Sequence, residues 1–234
     1  MKKIVMTIMM FLGLASSGAF AAPLLDQYYE IGMDVADGPF RDGTVVYDDN
    51  NFNNSVAQTF TVGIGGELTG VAIQIGRYFG TGGTLGVDIL GTSSGIPTGS
   101  SLASASLAWS SLPDWDFNIP SAFVFVDLSS FNLSVLPGDV LAIALSVLSG
   151  PDPQSTWDGY WQGQYSGGIA FSTWRSGFWE PQVLSDGQGG LLYGDMGFRT
   201  FVDPNTNQVP EPSTWMLIVS GLAGLAVLRK RFKV

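Results

Sequence analysis

The sequence predicts an all-β fold, a β-sandwich with jelly-roll or similar Greek-key connections. Three observations predict it. Apolar residues alternate with polar or small ones in short runs, the period of a strand with one buried face. Clusters of Gly, Pro, Asp and Asn separate the runs and form turns. Between residues 40 and 203 no segment carries the apolar spacing of a helix, so about nine short strands are expected.

In chain order, Val71, Ile73 and Ile75 face one way, with Ala72 and Gln74 between them. Leu85, Val87 and Ile89 repeat the pattern. Phe123 and Phe125 follow, then Leu141, Ile143, Leu145 and Val147, then Met196, Phe198 and Thr200. Breaks fall at Gly63 to Gly66, Gly80 to Gly83, Gly91 to Gly99 with Pro97, Pro137-Gly138-Asp139, Gly150 to Pro153 and Asp186 to Gly190. No repeat at a fixed period is present.

The two ends do not belong to this pattern. Lys2 and Lys3, an apolar run from Ile4 to Leu14 and small residues closing on Ala19-Phe20-Ala21 form a secretory signal, residues 1–21. Export through the Sec translocon and cleavage by signal peptidase after Ala21 are expected, with Ala19 and Ala21 as the small residues of the cleavage site. The sandwich domain then covers residues 22–203 and a polar, turn-rich linker 204–209. Residues 210–234 begin with Pro210-Glu211-Pro212, continue through an apolar span from Thr214 to Leu228, and close on Arg229, Lys230, Arg231 and Lys233. As a helix the span reaches about 22 Å, one short transmembrane segment whose flanking residues close the gap to the full bilayer. The basic cluster stays cytoplasmic, so the body lies across the membrane, where the N-terminal signal sends it. Pro210 and Pro212 lack N–H donors and favour extended backbone, which stops the helix and leaves a strand that a membrane enzyme can bind.

Pro-Glu-Pro followed by a short apolar span and a basic cluster at the C-terminus resembles the PEP-CTERM sorting signal of Gram-negative bacteria. The resemblance covers Val209 to Val234. It implies recognition by an exosortase-type membrane transpeptidase, cleavage near Pro210-Glu211-Pro212, and release or transfer of the body to the cell surface or an exopolysaccharide matrix. An ordinary C-terminal anchor would hold the body in the same compartment. Phrases such as Ala57-Gln58-Thr59-Phe60-Thr61 and Leu136-Pro137-Gly138-Asp139 also resemble secreted bacterial domains of the choice-of-anchor type, loosely over Val45 to Val202. That resemblance implies an extracellular β-sandwich and carries no catalytic residues.

Composition narrows the chemistry further. With no Cys and no His, disulfides, thiol nucleophiles, Ser-His-Asp triads and His-held metals are excluded. Between the two processing sites four Arg and no Lys face 19 acidic residues, a net charge near −15. Such a field repels nucleic acid, so no nucleic-acid partner is expected.

Eight aromatic residues between Trp157 and Trp179 could stack on sugar rings; Tyr160, Trp161, Tyr165 and Trp179 are the candidate carbohydrate-binding residues. The competing reading is that these rings close one end of the sandwich. Asp48, Asp49, Asn50 and Asn51, followed by Asn53 and Asn54, gather oxygen ligands of the kind Ca²⁺ takes, but the EF-hand pattern is absent and such a cluster is more often a solvated turn. Otherwise no cofactor and no metal site are expected. Asp114 and Asp116, flanking Trp115, are the only carboxylate pair suggestive of glycoside hydrolysis. A segment bounded by Pro113 and Pro120 is a loop, however, and no enzyme and no catalytic residue is expected.

Overall fold

The computed structural model describes residues 22–32, 44–48, 53–116, 119–150, 153–160, 165–173, 177–185 and 191–204. The predicted signal peptide, Pro210-Glu211-Pro212, the apolar span and the basic cluster lie outside them, as do Trp161, Trp174 and Asp49 to Asn51.

The strands, in chain order, are β1 (Leu24–Tyr29), β2 (Thr44–Asp48), β3 (Asn53–Asn54), β4 (Val56–Thr61), β5 (Gly66–Phe79), β6 (Thr84–Ser93), β7 (Ile96–Ala108), β8 (Phe123–Asp127) and β9 (Ser134–Val135). They continue as β10 (Val140–Ser149), β11 (Gln154–Trp157), β12 (Gly159–Tyr160), β13 (Ala170–Ser172), β14 (Glu180–Pro181), β15 (Val183–Ser185), β16 (Leu191–Tyr193), β17 (Asp195–Met196) and β18 (Phe198–Asp203). Many of the additional strands are two- or three-residue pairings too short to leave a periodic signal. Among the described residues there is no α-helix; Trp109–Ser111 and Ser129–Phe131 are single-turn 3₁₀ segments.

Two larger antiparallel sheets dominate. One has the order β1-β18-β5-β11-β2-β3, with β8 and β9 also paired to β5; the other has the order β14-β13-β4-β10-β6-β7. Two-residue alternation decides which side chains meet between them. Leu68, Val71, Ile73 and Ile75 of β5 share a single core with Leu85, Val87 and Ile89 of β6, Leu141, Ile143 and Leu145 of β10, and Trp157 and Phe198. This is the arrangement of a β-sandwich. Ala142 and Ala144, one position out of phase on β10, turn instead to a smaller cluster with Ala57, Leu90 and Phe171.

Two expectations change. On β8 the alternation has the opposite phase: Val126 is buried, whereas Phe125 is 56% exposed, its ring edge-on to Phe201 at 5.6 Å on the outer face. A run of four apolar residues, Phe123 to Val126, has no phase of its own, and the valine fits the narrow interior. The break expected over Gly91 to Gly99 shrinks to two residues. Ser94 (φ 52°) and Gly95 (φ 79°) form a tight turn with positive φ at both positions, whose twist matches the flanking strands, and β6 and β7 run up to it.

β1 pairs antiparallel with β18, from Leu24 opposite Val202 to Tyr29 opposite Phe198. Residue 22 and residue 204 therefore leave the domain at one end.

Ile143 is fully buried at the centre of β10, a strand paired on one side with β4 and on the other with β6. Ile143→Ala is expected to lower the urea-unfolding free energy by about 2–5 kcal/mol. Leu148→Ala, at a 59% exposed site on the same strand, is expected to change it by less than about 0.5 kcal/mol.

Candidate functional site

The aromatic stretch from 157 to 179 divides among several environments. Trp157 points into the core from β11, fully buried, and its indole N–H donates to the Gly197 carbonyl at 2.8 Å. Tyr165 is half-buried; its ring meets Phe198 edge-on at 5.1 Å and its hydroxyl donates to Gln27 Oε1 at 3.2 Å. Burial, with Asp26 and Asp195 nearby, pushes its phenol up to about 12. Phe171 and Trp179 pack in the smaller cluster on the other face of the second sheet. Tyr160 is half-buried on β12, which pairs with β17. Of the four candidate sugar-binding residues, Tyr165 is thus held by core contacts, Tyr160 and Trp179 sit on separate elements, and Trp161 lies outside the described residues.

Polar side chains that sequence patterns had not singled out are buried beside these rings. Gln58 points inward from β4 between Val56 and Phe60. Its Oε1 accepts the Met196 N–H at 2.7 Å and its Nε2 donates to Asp195 Oδ1 at 3.3 Å. Asp195 Oδ2 accepts the Tyr165 N–H at 3.1 Å. Asp195 is 2% exposed, and desolvation raises its pKa to about 7 against the lowering effect of those two hydrogen bonds.

Asp158, 1% exposed, anchors the crossover between the sheets. Its carboxylate accepts the Ser121 N–H at 2.6 Å, the Ser121 hydroxyl at 3.2 Å and the Trp115 indole N–H at 3.0 Å. Trp115 packs so closely on β5 that a Cβ at Gly76 would sit 2.8 Å from the Trp115 Cα; only glycine fits there.

A second group of rings gathers at this end of the domain. Opposite β11, Gln154 faces Phe79 and Ser155 faces Arg77, so Tyr78 is a bulged residue. The bulge turns Tyr78 and Phe79 to the same side, with ring centroids 4.4 Å apart, and Trp115 stands edge-on to Tyr78 at 5.2 Å. Arg77 lies over the Trp109 ring at 5.3 Å and pairs with Asp114 at 2.6 Å. The two carboxylates flanking Trp115 are exposed, Asp114 at 86% by side chain, and one of them is committed to an arginine. The sequence signal for this group was present, since Asp114-Trp115-Asp116 stood out, but the bulge that brings Tyr78 to it leaves no mark in composition.

Among the described residues no three or more carboxylates group as a metal site. Nor is any described helix long and apolar enough to cross a membrane. Of the Asp/Asn cluster weighed as Ca²⁺ ligands, Asp49 to Asn51 lie outside the described residues; Asp48 ends β2, opposite Asn53 of the short strand β3, Asn53–Asn54.

The model of the PEP-CTERM protein-sorting motif matches residues 208–231. The chain carries a PEP-CTERM sorting motif. The matched segment contains Pro210, Glu211 and Pro212 together with Arg229, Lys230 and Arg231, and Lys233 lies just beyond it. The motif implies export, a membrane-anchored sorting signal and processing by an exosortase. No curated protein and no solved structure matches the chain.

The Asp195 carboxyl binds its proton more tightly folded than unfolded, so its contribution to stability is complete below about pH 4 and is lost as pH rises to about 7. Asp195→Asn removes that titration. In urea titrations at a series of pH values, the wild type is expected to lose stability relative to the variant steadily between about pH 4 and pH 7, and the signed difference to stay level above it.

Proposed function

We propose that the protein is an exported surface component that its tail carries first to the inner membrane and then, through an exosortase-type transpeptidase, to the cell surface or an extracellular polymer matrix. In this reading the sandwich body has a structural or interaction role there and is no enzyme. The observation that carries it is the sorting motif at residues 208–231. Two further features support it. The domain sends residues 22 and 204 out at one end, so an N-terminal signal and a C-terminal tail can both reach a membrane without the body lying between them. The acidic, lysine-free surface repels polyanions and keeps a shed body soluble.

The test is sorting in a host that makes the transpeptidase. Wild-type protein is expected to reach the cell surface or medium without its last residues, by mass spectrometry. Pro210→Ala/Glu211→Ala/Pro212→Ala is expected to remain in the membrane fraction with its tail intact, and equal release of both would overturn the reading.

A second reading, carbohydrate binding, draws its support from Tyr78, Phe79 and Trp115 rather than from the 157–179 stretch. The bulge exposes the first two rings together, Phe79 at 59% and Tyr78 at 42%, beside the polar pair Arg77 and Asp114. Flat rings with hydrogen-bonding neighbours suit a neutral sugar chain. Phe79→Ala combined with Tyr78→Ala is expected to weaken retention on a neutral-polysaccharide affinity gel at least about tenfold. No retention of the wild type on any gel of a neutral-glycan panel would remove this reading.

A further inference from the structure

The free edges of the two large sheets differ. In the first sheet β1 carries Asp26 and a register shift between Leu25 and Tyr28, β3 and β9 have two residues each, and β8 has five and ends on Asp127. In the second sheet β14 is the dipeptide Glu180–Pro181. Shortness, charge, irregular register and proline are the devices that stop a sheet edge from recruiting another strand. β7 lacks most of them. It has 13 residues, Ile96 to Ala108, and none is charged. Its Pro97 and its register shifts lie near the turn: Ile89 faces Ala103, Leu90 faces Ser101 and Thr92 faces Pro97. From Ala103 to Ala108 the strand pairs with β6 residue for residue. Among the described residues those six have no strand on their outer side in the sheet order, and they match the length of an average strand.

We infer that this edge is the contact between two copies of the chain, joined antiparallel through Ala103–Leu107 about a two-fold axis to make one continuous sheet. The geometry is self-complementary, because an antiparallel edge presents to its own copy the donors and acceptors that the copy needs. Centred on Ala105, the pairing sets Ser104 opposite Ser106 on the outer face and Ala103 opposite Leu107 on the core side, where the small residues leave room.

Charge favours a second copy at this place over any other. The body carries a net charge near −15, so two copies repel wherever acidic surfaces meet. At physiological salt, repulsion fades beyond about 8 Å; the charge close to the contact decides. The carboxylate hydrogen-bonded to this stretch of β7 is Asp88 on β6, whose Oδ1 accepts the hydroxyls of Ser101 and Ser104. Across a joined sheet the two Asp88 residues stand three strand spacings apart, about 14 Å. The repulsion that guards the rest of the surface is weak here, and backbone hydrogen bonding is unopposed.

The test is the mass of the full-length protein in mild detergent by light scattering, from about 1 to about 100 µM. Wild type is expected to give the mass of two chains, and Ser106→Glu that of one with an unchanged melting temperature, a loss of affinity of at least about tenfold. A second readout uses the absence of cysteine in the chain: Ser106→Cys is expected to be joined to its copy by a short bis-maleimide, and Leu148→Cys is not. One-chain mass for the wild type throughout the range, a dimer that survives Ser106→Glu, open-ended assembly, or crosslinking no stronger at Ser106→Cys than at Leu148→Cys would each overturn the inference. Because the readout is mass and not sorting, it stands or falls apart from the fate of the tail.

Discussion

Four polar side chains that cannot reach water set the order of this fold. Gln58, Gln74, Asp158 and Asp195 are each at most 4% exposed, and a buried donor or acceptor left unmatched costs about 1–3 kcal/mol. Each is matched by backbone from a distant part of the chain. Gln58 takes the Met196 N–H, and Gln74 takes the Ile31 N–H and gives its amide to the Ile31 and Ser121 carbonyls. Asp158 holds Ser121 and Trp115, and Asp195 holds Tyr165. The apolar core alone would tolerate several ways of laying connections over its sheets. The polar residues admit one, because any other leaves a charge or an amide stranded in a medium that penalises it.

That demand also explains which parts of the fold were legible in the sequence. Strands in which large apolar side chains alternate with small or polar ones declared themselves: the alternation through Val71 to Ile75, Leu85 to Ile89 and Leu141 to Leu145 is the alternation of the core, although the second face, with Ala72, Gln74, Ala142 and Ala144, is buried as well and not exposed as the period alone suggests. Phe123 to Val126 did not, since four apolar residues in succession carry no phase, and the interior selected the valines. The rings between Trp157 and Trp179 were legible as a cluster in sequence but not in space. Trp157 turns inward from β11, Tyr165 packs on Phe198, and Trp179 lies on the far side of the second sheet. The rings that do assemble, Tyr78, Phe79 and Trp115, depend on a one-residue bulge and on a buried carboxylate more than forty residues away. Neither has a local sequence signature.

The sorting motif is the reverse case. A short apolar span followed by basic residues works through composition and position, not through tertiary contacts, so a sequence displays it completely. What the fold adds is the placement of its attachment point. Because β1 and β18 are neighbours, with Leu24 opposite Val202, the tail and the segment before residue 22 share an exit. The opposite end of the domain, where Tyr78 and Phe79 emerge past the register shift with β11, points away from that exit along β5, whose Leu68 pairs with Val202 and whose Phe79 pairs with Gln154. A body tethered by its tail therefore holds its exposed rings at the end distant from the anchor.

Charge and edges are parts of one problem. Many proteins protect sheet edges with lysine, and the region from residue 22 to residue 209 has none. Protection here comes from aspartate on β1 and β8, from proline and glutamate on β14, and from strands of two residues. An acidic protein guarded by acids repels its own copies over most of its surface, and self-association by ion pairs has few cations to draw on: of four arginines, Arg77 and Arg199 are already paired with Asp114 and Glu30. Contact between copies must then rest on hydrogen bonds and small apolar side chains, at a place where carboxylates are held back. The serine hydroxyls that turn onto Asp88 make Ala103 to Ala108 such a place, and the same small residues that leave this edge unguarded are the ones that let two backbones approach to strand spacing.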